Sequence, residues 1–495
     1  MVVFTFHALD AIERRTPAVG PPNAIGENFE CTSIVYAHIH PLYGERLLRI
    51  YFPQNQTDKT RGTMPDLPHS LDLRDVLSQL AIDEAFDLFQ PHWDESIAVR
   101  PEGCPIFLQV DSIRQYAALA NLPDCALPTL CMAAEHIALS TALSALAWHC
   151  QRLLCHHPDY EIAKIRQWPT LDRALGAVSG AFYLLVGLAA IPHMRAAHAL
   201  RNIPDDVSRA SCGRHYPETL ARYRQHHDGR IGVLPGAIYW LRNYVLGDLY
   251  RIGRLEYMIR PFSTRVHVYR HLDTHAVVAL AADGSYFDGD GLATTADAPQ
   301  ARRADLHRVD GGIRGTPIAP TGYAMASPCT LPLDKWQSVL SPGDPILDVH
   351  IPTGGQMTLA SCRESMQQAM AFFTRYFPEQ PYSAFACGSW ILNPQLDRIY
   401  RTDSNMVLWQ HELYLYPIPS GDRSGLVFVF GKDDIDLKAA PRDTSLRRAL
   451  LDHMQSGGRL IGGGMFFLCE DFDRFGSQHY RSQWRPHPPV LDYTP

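Results

Sequence analysis

No two of the 11 cysteines in this 495-residue chain stand in CxxC spacing. That leaves out a thioredoxin-like motif and a zinc ribbon. The odd count is not that of a small disulfide scaffold, so the cysteines read as buried small hydrophobes in a reducing compartment. Positive charge is also short, with 45 Lys+Arg against 52 Asp+Glu, a net charge of −7. A mildly acidic surface argues against broad binding to nucleic acid or to an anionic membrane. The opening stretch, MVVFTFHALDAIERR, has no basic segment ahead of an apolar one. No signal peptide and a cytoplasmic location are expected. Internal repeats and long low-complexity segments are missing too.

Long apolar runs are nearly absent. The exception is Ala174–Ile191, 18 residues without a charge, which reaches the lower limit for a membrane span. It is rich in Gly and Ala, is followed at once by Pro192, His193 and Arg195, and has no second run or aromatic belt to accompany it. These features predict no membrane span but a helix at the centre of a bundle, apolar on all sides.

Hydrophobic residues at 46% supply an ample core for two or three domains. Residues 1–71 mix short β-like runs with turn residues and form an extension of unassigned role. From Asp72 the apolar spacing is helical, in LRDVLSQLAIDEAFDLF, LCMAAEHIALSTALSALAWHCQRLL, Tyr216–His226 and Ala237–Leu255. The pattern predicts an all-α domain over 72–254. Its Arg residues at 214–254 form a solvated face or receive an acidic partner such as a carrier protein or phosphopantetheine. Period-two strands follow at 255–260, 266–270 and 276–280. Then come a strand at 346–352, a TGGQM turn, a helix at 358–377 and a strand at 382–392. LWQHELYLYPI and LVFVFG are expected as an antiparallel pair, with a helix from Thr444 to Met454 and a strand from Met465 to Leu468. The second domain is placed at 255–472, with a tail at 473–495. Strand, turn, helix, strand is the element order of the GNAT acyltransferase fold, so the fold class is α+β: an all-α domain followed by a GNAT-like mixed-sheet α/β domain.

A helix N-terminus carries free N–H groups and about half a positive charge, and can seat a pyrophosphate. Gly354, Gly355, Gln356 and Met357 supply a turn of little bulk, Thr358 a plausible N-cap, and Arg363 a cation in the second turn. The usual GNAT phosphate signature, Gln/Arg-x-x-Gly-x-Gly/Ala, is not present in standard form. His350 ends the preceding strand, and Cys387 and Ser389 share one face of the next. His350 is either a general base near neutral pH or a core histidine. Cys387 is either an acyl-carrying nucleophile or a buried strand cysteine. Asp403-Ser404-Asn405 is a capping cluster or touches a ligand. His149, Cys150, Cys155, His156 and His157 crowd one helix end, but their spacing fits no standard zinc site and no metal is expected. His267, His271 and His275 read as surface.

From about residue 72 to 470 the chain resembles bacterial acyltransferase domain-containing proteins, with an α-helical N-acyltransferase N-terminal domain and a GNAT-like C-terminal domain. The matching pieces are Leu146-Ala147-Trp148-His149, Arg254-Leu255-Glu256-Tyr257, Pro342 through Pro352, Cys387 through Leu392 with Pro394-Gln395-Leu396, Asp403-Ser404-Asn405, and Pro441 through Leu446. The resemblance implies a biosynthetic enzyme moving an acyl group from a thioester, CoA- or carrier-bound, to the amine of a small molecule, with an acyl carrier protein as a possible partner. In this reading Val349, Ile351 and the Gly-Gly turn hold pantetheine and pyrophosphate in the cleft between the domains or at the splayed strands. His350 is the base, Ser389 or Asn405 positions the carbonyl or protonates the thiolate, and Cys387 is a covalent relay. Two alternatives stand: a thioester decarboxylase or S-acyl transferase on carrier-bound substrate, and a non-catalytic binding module.

Overall fold

The computed structural model describes residues 71–484 except residue 433. The β-like runs expected before residue 70 and the tail from 485 onward lie outside the described residues. The chain forms two compact units. One takes residues 71–197 and 212–246, the other 198–211 and 247–484.

The first unit is helical. It holds α1 (Leu73–Gln79), α2 (Trp93–Ala98), α3 (Val110–Leu119), α4 (Leu127–Leu139), α5 (Thr141–Cys155), α6 (Ser179–Leu188) and α7 (His215–His226), with a further helix at Ile191–Leu200 whose end belongs to the other unit, and shorter helical turns between. Ser140 adopts an extended conformation between α4 and α5, bends the chain by 112° there, and accepts a hydrogen bond from the Leu143 N–H as N-cap of α5. The apolar run becomes α6, and all ten of its residues are buried. Its glycines admit close neighbours. A Cβ on Gly180 would lie 2.4 Å from the Tyr223 ring, and the Val233 N–H donates to the Gly180 carbonyl at 3.0 Å. The apolar stretch is thus buried inside the unit, as its composition predicts.

Arg242 corrects the expectation of a solvated arginine face. It is 4% exposed and donates to the carbonyls of Leu153, His157 (2.9 Å) and Tyr160 (3.5 Å) at the C-terminal end of α5. Carbonyls at a helix end lack intrahelical partners, and the negative end of the dipole favours a cation there. Burial lowers the guanidinium pKa to about 10, still far above neutral, so the group remains charged. The helices stop at Val245, and a strand begins at Tyr250 inside the stretch expected to be helical. Residues 198–211 also leave the helical unit. The Ser211 hydroxyl accepts from the Arg251 N–H at 2.9 Å, and the His198 ring packs 5.0 Å from that of Tyr250.

The second unit contains β1 (Tyr250–Ile252), β2 (Leu255–Pro261), β3 (Val266–His271), β4 (Val277–Ala281), β5 (Tyr286–Phe287), β6 (Arg302–Arg303), β7 (Leu306–Val309), β8 (Gly312–Ala319), β9 (Tyr323–Ala324), β10 (Cys329–Pro332), β11 (Trp336–Leu340), β12 (Pro345–His350), β13 (Ala384–Ser389), β14 (Tyr414–Pro417) and β15 (Gly463–Leu468). One sheet runs β1-β2-β12-β13-β15-β14. A second, antiparallel throughout, runs β10-β8-β4-β3-β11, with β7 and β9 also on β8. The successive strands expected at 255–280 therefore divide between two sheets, and the turn-rich stretch after them supplies most of the second. Tyr414 ties the sheets together: its hydroxyl accepts from the Ala279 N–H (3.1 Å) and donates to the Ile318 carbonyl (2.5 Å).

The main helices after the first strands of this unit are α8 (Leu359–Tyr376), α9 (Asn405–Glu412), α10 (Leu426–Phe430) and α11 (Ser445–Gln455); a helix at Asp205–Cys212 precedes the strands, and short helices lie at Leu396–Ile399 and His479–Gln483. Two of them correct the expected last strand pair. LWQHE closes α9, and LVFVF is α10, bracketed by Gly425 and Gly431 at φ 89° and 78°. Leu426 and Phe430, four apart, pack with Val407, Leu450 and Leu451. A five-residue apolar run carries no period that separates helix from strand. The partner of β14 is β15 instead.

Replacing Arg242 with Met is expected to lower unfolding free energy by about 2–3 kcal/mol, because buried carbonyls lose their donors. The urea midpoint of the full chain reads this. An unchanged midpoint would show that Arg242 does not hold the α5 end.

Candidate functional site

β12 and β13 form the only parallel ladder among the described residues, joined by the crossover helix α8. It contains only two partner pairs, Leu347 with Phe385 and Asp348 with Ala386. Each strand is paired along all six residues on its other side, β12 to β2 and β13 to β15. The two strands therefore part beyond Asp348 and Ala386, between Val349–His350 and Cys387–Ser389. Gly463 helps set this end. It pairs with Ser389, and a Cβ there would lie 1.9 Å from the Leu392 carbonyl oxygen, so the chain leaving β13 can fold tightly over β15.

The turn after β12 leads straight into α8. Gly354 and Gly355 have φ of 76° and 73°, two successive left-handed residues that favour glycine. Thr358 is the N-cap, and its hydroxyl accepts from the Ser361 N–H at 3.1 Å. Gln356 is exposed in the turn, and Ile351 is half-buried at the end of β12. The cation at the turn is Arg254, not Arg363. Arg254 donates to the Pro352 carbonyl at 2.9 Å, and a Cβ on Gly355 would lie 3.8 Å from its side chain. Arg363 instead lies over the Phe472 ring, 5.5 Å from its centroid. Ser365 of α8 fixes the hairpin that carries Arg254: it donates to the Ile252 carbonyl (2.5 Å), accepts from the Leu255 N–H (3.1 Å) and bonds the Tyr257 hydroxyl (2.8 Å). A small exposed turn, a helix N-terminus and a held guanidinium are together features that can cradle an anion.

His350 and Asp348, two apart on β12, lie on one face, with Nε2 of the histidine 3.2 Å from the carboxylate. Glu256, buried, stands opposite His350 on β2 and lies 4.0 Å from Arg251. Burial pushes the Asp348 carboxyl up, but His350 beside it, with Arg260 among the more distant cations, outweighs that and the pKa lies below the usual carboxylate value. An ionised aspartate orienting an imidazole is the arrangement that general-base work requires.

The register does not bring Cys387 or Ser389 to that face. Leu347 pairs with Phe385, so Val349, Cys387 and Ser389 lie on the other side of the sheet, where Tyr257 meets both Phe385 and α8. Cys387 is buried, and burial, with Asp348 adding to it, pushes its thiol up to about 12. A thiol held protonated at neutral pH is a poor nucleophile, which counts against the relay role. Ser404 caps α9 by accepting from the Val407 N–H, and Asp403 pairs with Arg401. Asn405, the first residue of α9, makes no side-chain hydrogen bond among the described residues.

The sequence reading missed Arg254 and Asp348. The alternation Asp-x-His signalled the second. The first carried no signal beyond its place in the Arg254–Tyr257 match.

Residues 111–242 match the family model of the N-acyltransferase N-terminal domain, and residues 249–466 that of the GNAT-like C-terminal domain. Among solved structures, an acyltransferase in complex with decanoyl-CoA and teicoplanin is 23% identical at a TM-score of 0.56, over 80% of this chain and 99% of that one. An acyltransferase mutant in complex with octanoyl-CoA is 22% identical at a TM-score of 0.55, over 80% and 98%. No curated protein matches the chain. At these identities the likeness carries the fold.

The lowered pKa of Asp348 fixes a sign. The stability it contributes is fully present above the unfolded-state pKa, ~3.9, and is lost as pH falls through the lower folded value. Urea unfolding between neutral pH and acid is therefore expected to show a steeper acid loss for the native chain than for Asp348→Asn. Parallel pH curves would contradict this.

Proposed function

We propose that this chain, which belongs to the proteins joining an N-acyltransferase N-terminal domain to a GNAT-like C-terminal domain, transfers an acyl group from an acyl-CoA thioester to an amine. The observation that carries the reading is the parting of β12 from β13 beside two complementary features. One is the anion cradle at Gly354, Gly355, Arg254 and the start of α8. The other is the Asp348–His350 pair at the end of β12. An extended pantetheine arm presents amides that suit unpaired strand edges at Val349–Ile351, while its diphosphate suits the cradle. The acceptor amine attacks the thioester carbonyl. His350 takes the amine proton, the new C–N bond forms, and the C–S bond breaks to release the CoA thiolate, which is then protonated. Asp348 holds the imidazole and stabilises its charged form. No covalent acyl-enzyme is part of the reaction.

The solved relatives holding octanoyl-CoA, or decanoyl-CoA with teicoplanin, support a medium-length acyl chain and a glycopeptide amine as first substrates to test. CoA is the donor in this reading, and a carrier-bound thioester is the comparison arm. A cytoplasmic location belongs to the same reading and is supported by ten free cysteines among the described residues.

Steady-state kinetics with decanoyl-CoA and an amine acceptor test the roles. His350→Gln is expected to lower kcat by roughly 10²- to 10⁴-fold with little change in KM. Arg254→Gln is expected to raise the KM for acyl-CoA by roughly 10- to 100-fold, and Cys387→Ala to keep its activity. Full kcat in His350→Gln, or an acyl adduct on Cys387 by intact mass, would overturn the direct mechanism.

A further inference from the structure

We propose that the helical unit binds a divalent transition-metal ion, of which zinc is the best fit, through Nδ1 of His92, Nδ1 of His157 and a carboxylate oxygen of Glu95. His92 precedes α2 and Glu95 lies in its first turn, while His157 follows the end of α5. The Glu95 Oε2 lies 3.1 Å from Nδ1 of His92 and 3.9 Å from Nδ1 of His157. The three residues offer ligand atoms that all lie within 4.8 Å of one another. Bonds of about 2.0–2.1 Å in a tetrahedron set neighbouring ligands about 3.3 Å apart, so the ion must draw the 3.9 Å pair of His157 and Glu95 together and turn an imidazole toward itself. Two imidazoles and a carboxylate are a standard zinc set that leaves the fourth position for water.

Three further observations distinguish this trio from an ordinary surface cluster. Both Nδ1 atoms lie on the Glu95 side, and because the His92 and His157 rings stack at 4.0 Å, inclined by 17°, one ring must turn out of the stack for both in-plane lone pairs to meet one ion. Nε2 of His92 lies 2.9 Å from Oδ2 of Asp159. A carboxylate on the far nitrogen fixes the tautomer and ring angle of a metal-ligating histidine. His92 also sits at φ 60° with no side-chain cap on α2, a left-handed conformation that costs a non-glycine residue energy and that a bound ion would offset. Two carboxylates, Glu95 and Asp159, stand against one nearby cation, Arg152, so the surroundings attract a dication rather than repel it.

Only His157 of the histidines and cysteines at the end of α5 takes part. Both nitrogens of His149 are engaged, by the Ser96 hydroxyl (2.9 Å) and the Phe89 carbonyl (2.8 Å). His156 packs on His193, which meets Gln151. The ion would bind the turn after α5 to the start of α2 and takes no part in acyl transfer.

The test is titration of the full chain with Zn²⁺ in competition with a chromophoric chelator. One Zn²⁺ per chain is expected. Glu95→Gln, a change at a well-exposed side chain, is expected to abolish stoichiometric binding, with an unchanged circular dichroism spectrum. Asp159→Asn should weaken binding roughly 10- to 100-fold, and His193→Ala should leave it unchanged. Cobalt in place of zinc should give the visible absorption of a tetrahedral site in the native chain and not in Glu95→Gln. No stoichiometric zinc, or equal affinity in the native chain, Glu95→Gln and His157→Ala, would overturn the proposal.

Discussion

The α/β unit depends on a ladder that is only two residues long. Leu347 and Asp348 meet Phe385 and Ala386, and there the two halves of the central sheet part. Parallel strands need a crossover, so α8 must follow β12. That requirement places a helix N-terminus beside the opening. The glycine turn then lets the crossover start at once, and Ser365 brings the β1–β2 hairpin, with Arg254, back to it. The glycine turn at the helix N-terminus and the opening are thus two results of one topological choice.

The same register distributes the chemistry. Because successive residues of a strand face opposite ways, a polar pair at Asp348 and His350 forces Val349 and its neighbours to the apolar face under α8. Cys387 and Ser389 take that apolar side through the pairing of Leu347 with Phe385. The protein thereby keeps a polar pair and a silent thiol within one sheet, separated by the thickness of a backbone. The helical unit solves its main polar problem in another way, by sending one guanidinium to the open carbonyls at the end of α5.

Much of this was legible in the sequence where pattern and chemistry agreed. The β12 strand, the Gly354-Gly355 turn, the Thr358 cap and α8 follow from period, turn residues and capping alone. α6 was readable as a core helix because its glycines and alanines suit close packing. Legibility failed where the deciding contact is distant in sequence. Nothing near Arg254 says that Ser365 will hold it to a turn 100 residues on. Nothing near Arg242 marks it as buried. The LVFVF segment is too short to show a period, and the short polar strands of the second sheet look like loops until their partners are known. The face on which Cys387 lies depends on strand register, which no local pattern sets.

The excursion of residues 198–211 into the α/β unit also bears on how the chain is made. During synthesis these residues emerge before the last helices of the helical unit, yet their partners, Tyr250 and Arg251, come some forty residues later. The helical unit can close once residue 246 has left the ribosome, with this segment looped out and waiting. A gene cut at the border between the two units would strand it on the wrong piece. Neither half is then a faithful excised domain.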